Sequence, residues 1–91
     1  MLATITPGAV VEVNRSVAHG RTHGPAAGLE VLDRVDGAAL GGSHLLPSVR
    51  GDLLARMGRG AEAAAAFRDA AARTSNGSER ALLLRRAAEV R

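Results

Sequence analysis

Gly58-Arg59-Gly60-Ala61-Glu62-Ala63-Ala64-Ala65-Ala66-Phe67-Arg68-Asp69-Ala70 decides how this chain folds. Gly58 can take the left-handed conformation that ends a helix, and Gly60 opens a turn. Alanine, which dominates residues 61–70, is the strongest helix former. The stretch therefore reads as a helix stop, a tight turn and a second helix over 61–73, whose small side chains invite another helix to lie close against it. Two helices joined in this way make a hairpin of the kind that repeat proteins stack. Phe67 is the only Phe, Trp or Tyr in the chain. It falls between Ala63 and Ala70 on one helical face, so it is expected to be buried, and its truncation to cost on the order of 3–5 kcal/mol.

N-terminal to that turn, Leu45, Leu46, Val49, Leu53, Leu54 and Met57 form the most apolar helical stretch, with Ser43 as its opening residue and Pro47 in or before its first turn. The segment Asp36-Gly37-Ala38-Ala39-Leu40-Gly41-Gly42 is the longest loop and the midpoint of the chain. Before it, Gly24-Pro25 starts a helix whose apolar face is Leu29, Leu32 and Val35. Thr6-Pro7 starts another, in which Val10, Val13 and Val17 recur at helical spacing up to Gly20, leaving Arg21-Thr22-His23 as a link. On the C-terminal side, Asn76 and Glu79 have the spacing of a capping box, and a fifth helix runs through Leu82, Leu83 and Val90. The expectation is one all-α domain over 1–91, built as two antiparallel hairpins and a C-terminal capping helix, with a loop near 36–43 between the hairpins.

Composition narrows the chemistry. Ninety-one residues suffice for one modest core and leave little room for a substrate cleft. The hydrophobic fraction is 46%, but much of it is alanine, which buries little area. All 12 basic residues are arginine, and the net charge is +3. They are interleaved with acids at helical spacing (Glu30 with Arg34, Asp52 with Arg56, Asp69 with Arg73), the pattern of a solvated helical surface. There is no cysteine, hence neither a disulfide nor thiolate chemistry. No apolar run reaches the roughly 20 residues that a bilayer requires, so no membrane association is expected and cytoplasmic residence is the default.

The second and fourth helices share a frame. Gly28 aligns with Ala63, a separation close to the roughly 34 residues of a tetratricopeptide unit, and Gly51, Leu54, Gly58, Ala63, Phe67 and Ala70 match the small and large positions of that motif. A more specific likeness runs through Val13-Asn14-Arg15-Ser16-Val17-Ala18, Gly24-Pro25-Ala26-Ala27-Gly28-Leu29 with Leu32-Asp33, and His44-Leu45-Leu46-Pro47. It continues through Arg50-Gly51-Asp52-Leu53-Leu54-Ala55-Arg56-Met57-Gly58-Arg59, Glu62 to Ala70, and Asn76 with Glu79-Arg80-Ala81-Leu82-Leu83-Leu84-Arg85-Arg86. In order and spacing these blocks resemble the C-terminal extension of extracytoplasmic-function-type RNA polymerase sigma factors. The resemblance implies a helical, tetratricopeptide-like region that contacts other sigma-factor domains or a regulator and helps set their activity. It carries no catalytic residue over. The DNA- and polymerase-binding domains of that family have no counterpart in the 91 residues, which are therefore read either as an excised domain or as a standalone protein that kept the module.

No set of reactive groups converges in the sequence. His19 and His23 are one turn apart and could be joined by His44, but zinc needs three or four converging ligands, and no metal site or cofactor is expected. Gly37 to Gly42 lacks the lysine and hydroxyl of a phosphate loop. Asp33 with Asp36, and Ser43 with His44, lack the geometry of an acid pair or a nucleophile and base, so no catalysis is expected. The candidate functional feature is a surface. Glu12, Arg15, His19, Arg50 and Arg56, polar members of the first and third helices, are candidate partner-binding residues. Arg80, Arg85, Arg86 and Arg91 are candidate phosphate contacts, although direct nucleic-acid binding is disfavoured because the other arginines are dispersed. Self-association, as a homodimer or a structural homo-oligomer, is also expected of so alanine-rich a surface.

Overall fold

The computed structural model describes residues 7–35 and 44–90. Among these are five helices: α1 (Pro7–His23), α2 (Pro25–Asp33), α3 (Leu45–Arg56), α4 (Gly60–Arg73) and α5 (Gly77–Glu89). α1 packs on α2, α3 on α4, and α4 on α5, with α2 against α3 joining the first pair to the rest. The Cα trace measures 38 × 30 × 16 Å, a slab in which the helices lie side by side. The expected all-α arrangement of hairpin-like pairs is therefore present. The expected starts at Thr6 and Ser43, and the loop over 36–43, lie outside the described residues.

Turn chemistry sets most of the boundaries. At the α3–α4 corner Gly58 has φ +75°. The Gly58 amide donates to the Ala55 carbonyl (3.1 Å) and the Arg59 amide to the Leu54 carbonyl (3.0 Å), the two bonds of a Schellman motif. Gly60 is already the first residue of α4 rather than part of the turn. Pro47 sits in the first turn of α3, where its missing N–H leaves no bond unmade.

The α1–α2 corner differs from the sequence expectation. Gly20 does not stop α1, which continues through Arg21, Thr22 and His23. The break falls at Gly24, whose φ of +98° and ψ of 158° only glycine adopts readily, and Pro25 then restarts the chain as α2. Gly20 serves packing instead: it is buried, and a Cβ added at Gly28 would come within 2.9 Å of the Gly20 Cα and 2.7 Å of the Ser16 carbonyl oxygen.

The α4–α5 corner holds half of the expected capping box. The Asn76 Oδ1 accepts from the Glu79 amide (2.9 Å), but the Asn76 amide donates to the Thr74 Oγ1 (3.2 Å), and the Glu79 carboxylate pairs with His44. Arg80 reaches back to cap the end of α4, donating to the carbonyls of Thr74 (2.8 Å) and Ala71 (3.3 Å).

The core has two centres. Val13, Leu32 and Leu53 form the smaller, edged by Leu29, Val35, Leu45, Leu46 and Val49. The larger gathers Leu54, Phe67, Leu83, Ala87 and the buried alanines of α4. Adjacent residues of α3, Leu53 and Leu54, thus face different centres, because α3 is flanked by α2 on one side and α4 on the other. Phe67 is fully buried. It fits only because residue 51 has no side chain: a Cβ there would stand 2.8 Å from two ring carbons. Of the apolar residues assigned to the fifth helix, Leu83 is buried, whereas Leu82 is 51% exposed.

Candidate functional site

Where α2, α3 and α4 converge they leave a groove of about 500 Å³. Leu29 from α2, Leu54 from α3, and Ala65 and Ala66 from α4 supply its apolar surface. The alanines matter here, because larger residues at 65 and 66 would fill the space they line. The polar lining is Asp33, Arg50, Arg59, Glu62 and Asp69. These charges are held in fixed pairs: Arg50 with Asp33 at 2.7 Å, Arg59 with Glu62 through two bonds of 2.8 and 2.6 Å, and Asp69 with Arg73 at 2.9 Å. All are substantially exposed, so each pair adds little to stability, about 0–1 kcal/mol. The pairs set charge around the rim of an apolar surface.

Four of the five candidate partner-binding residues divide between two places. Arg50 lines this groove. Glu12, Arg15 and His19 line a smaller hollow of about 190 Å³ between α1 and α2, with Ala27, Glu30, Val31 and Arg34 opposite. Glu12 and Arg15 pair at 3.2 Å, and the ring of His19 stacks on that of His23 with centroids 4.4 Å apart. Arg56 lines neither cavity and pairs with Asp52 at 3.5 Å. Of the three helical ion pairs read from spacing, Asp52–Arg56 and Asp69–Arg73 form, and Glu30–Arg34 does not. The contribution of α2 and α4 to the larger groove was missed in the sequence. The three-residue spacing of Arg59 and Glu62 was a usable signal for part of it, but no local pattern announces the Arg50–Asp33 pair.

Two of the C-terminal arginines are engaged within the chain. Arg80 is committed to backbone carbonyls of α4. Arg86 donates to the Asp52 Oδ1 at 2.6 Å and lies 4.5 Å from the Phe67 ring centroid, tying α5 to α3 across α4. Arg85 is exposed, and Arg91 lies outside the described residues. Among the described residues no group of three or more His, Cys, Asp or Glu could hold a metal ion, and His44 is engaged by Glu79 rather than by His19 and His23. No helix among them is long and apolar enough to cross a membrane.

No family model matches the chain, and no solved structure does. An uncharacterized protein of Rhizobium meliloti (strain 1021) is 38% identical to it over 82 residues, which cover 90% of this chain and 19% of that protein. The chain is thus similar to one short region of a much longer relative.

Proposed function

We propose that this chain is a noncatalytic protein-interaction module of tetratricopeptide-like helical hairpins, which modulates transcription initiation by contacting sigma-factor domains or one of their regulators. The observation that carries the reading is the groove between α2, α3 and α4, where an apolar surface is framed by oriented ion pairs. The sigma-factor part of the reading rests on the ordered blocks between Val13 and Arg86 that resemble the C-terminal extension of that family. A cytoplasmic location goes with it. The alternative of phosphate binding through the C-terminal arginines has less to rest on, since Arg80 and Arg86 are already engaged in intramolecular bonds.

The test is calorimetric titration of the chain with the DNA- and polymerase-binding domains of an extracytoplasmic-function-type sigma factor from the same organism, alongside promoter-dependent transcription. Saturable binding is expected, with a change in transcript yield. Ala65→Arg, at an exposed position in the groove, is expected to weaken binding at least tenfold while leaving the helical content unchanged. No binding and no change in transcription, or equal binding by the variant, contradicts the proposal.

A further inference from the structure

The corner between α4 and α5 carries the dipeptide Asn76-Gly77, with both residues exposed. An asparagine side chain can be attacked by the amide nitrogen of the residue that follows it, and glycine, which lacks a Cβ, obstructs that nitrogen least. Nothing in the fold demands glycine at 77. Its φ is not positive, and a Cβ added there would meet no atom within 4 Å. Alanine would also be the better helix former at the start of α5. The other asparagine, Asn14, lies within α1 and is followed by the bulky Arg15.

We propose that Asn76-Gly77 is a site of spontaneous self-modification, in which the Gly77 amide nitrogen displaces ammonia from the Asn76 side chain and one product unfastens α5. The nitrogen gives its proton to solvent base and bonds to Asn76 Cγ, while the Cγ–Nδ2 bond breaks and the leaving nitrogen takes up a proton as ammonia. Water then opens the resulting succinimide. Attack at Cγ gives aspartate, and attack at the main-chain carbonyl gives isoaspartate, in which the chain runs through the former side chain. No step changes an oxidation state.

The fold gates this reaction. A ψ of 118° at Asn76 holds the Gly77 nitrogen away from the side chain, whose Oδ1 accepts from the Glu79 amide (2.9 Å). Ring closure needs rotation about the Asn76 Cα–C bond, so the first turn of α5 must open. That opening is local, because the first amides of a helix have no intrahelical partner and helix ends fray. Once isoaspartate has formed the corner cannot close as before. The Asn76 carbonyl that accepts from the Arg80 amide (2.9 Å) has become a side-chain carboxylate, and the chain is one methylene longer. Arg80 then no longer stands in register to cap the Thr74 and Ala71 carbonyls. Aspartate, by contrast, keeps the cap, and its charge suits a helix N-terminus. The groove between α2, α3 and α4 has no α5 residue in its lining, so the modification is independent of the proposed docking role.

Prolonged incubation of the whole chain at mildly alkaline pH, with and without denaturant, tests the proposal, read by peptide mass spectrometry and then by amide hydrogen exchange. Conversion is expected at Asn76 and not at Asn14, at least tenfold faster in denaturant, where the corner is open. Gly77→Ala is expected to slow it at least tenfold in both conditions, with circular dichroism showing the helices unchanged. The isoaspartate form, separated by chromatography, is expected to lose protection across α5 while α1 and α2 keep theirs. Asn76→Asp carries the same added charge and is expected to keep α5 protected. A folded chain whose Asn76 survives the incubation overturns the proposal, as does conversion that denaturant fails to accelerate or Gly77→Ala fails to slow. So does an isoaspartate form with α5 as well protected as in the wild type, or an equal loss of protection in Asn76→Asp.

Discussion

A missing side chain at residue 51 decides how closely α3 can approach α4. The ring of Phe67 fills the space that a Cβ would occupy, and the Arg86 guanidinium covers the ring from the α5 side. Gly51→Ala must therefore move a fully buried ring, and a loss of about 1–3 kcal/mol is expected in chemical denaturation, typical of an overpacked core. Phe67→Ala should lose more, about 3–5 kcal/mol. The diagnostic comparison is Gly51→Ala in a Phe67→Leu background: if the clash is with the ring, the alanine costs clearly less there than in the wild type, and equal costs would show that the contact is unimportant. Burial of Phe67 was legible from its place among alanines on one helical face. The role of Arg86 was not, because its partner Asp52 is 34 residues away and nothing local distinguishes it from Arg85.

Helix ends were legible where a backbone requirement lies within a few residues. Gly58 ends α3 in the left-handed conformation its sequence context implied, and Asn76 caps α5. Gly20 shows why the same reading failed for α1: a glycine can be selected for absence of bulk instead of for a positive φ, and only the position of α2 tells which. Because a Cβ at Gly28 would meet backbone atoms of α1, which cannot rotate away, α1 would have to shift as a whole. Gly28→Ala is expected to cost about 1–3 kcal/mol, from overpacking at the crossing. Amide hydrogen exchange should show the loss as faster opening of α1 and α2, with α4 and α5 retaining their protection. Uniform loss of protection across all five helices would mean that the two core centres open together and that the crossing is not a separable unit.

At the scale of the whole molecule, α3 joins the two centres, Leu53 serving one and Leu54 the other. The sequence foretold hairpins because turns are local, but the groove arises from residues on α2, α3 and α4 that meet only when the hairpins stack. Arg50 is legible as a polar position on α3, but its partner Asp33 belongs to another helix. The outer face of α5 is likewise a property of the array, since α5 packs on α4 by its opposite side and no other described helix covers it. The proposed docking role makes these two surfaces separable. The most direct measurement is a titration of the isotopically labelled chain with the sigma-factor domains, following backbone amide resonances by heteronuclear NMR. The predicted result is a set of saturable shifts confined to residues 29–33, 50–54 and 59–69, with Arg85 and Glu89 unaffected. Absence of saturable shifts, or shifts gathered on α5 instead of the groove, would contradict it.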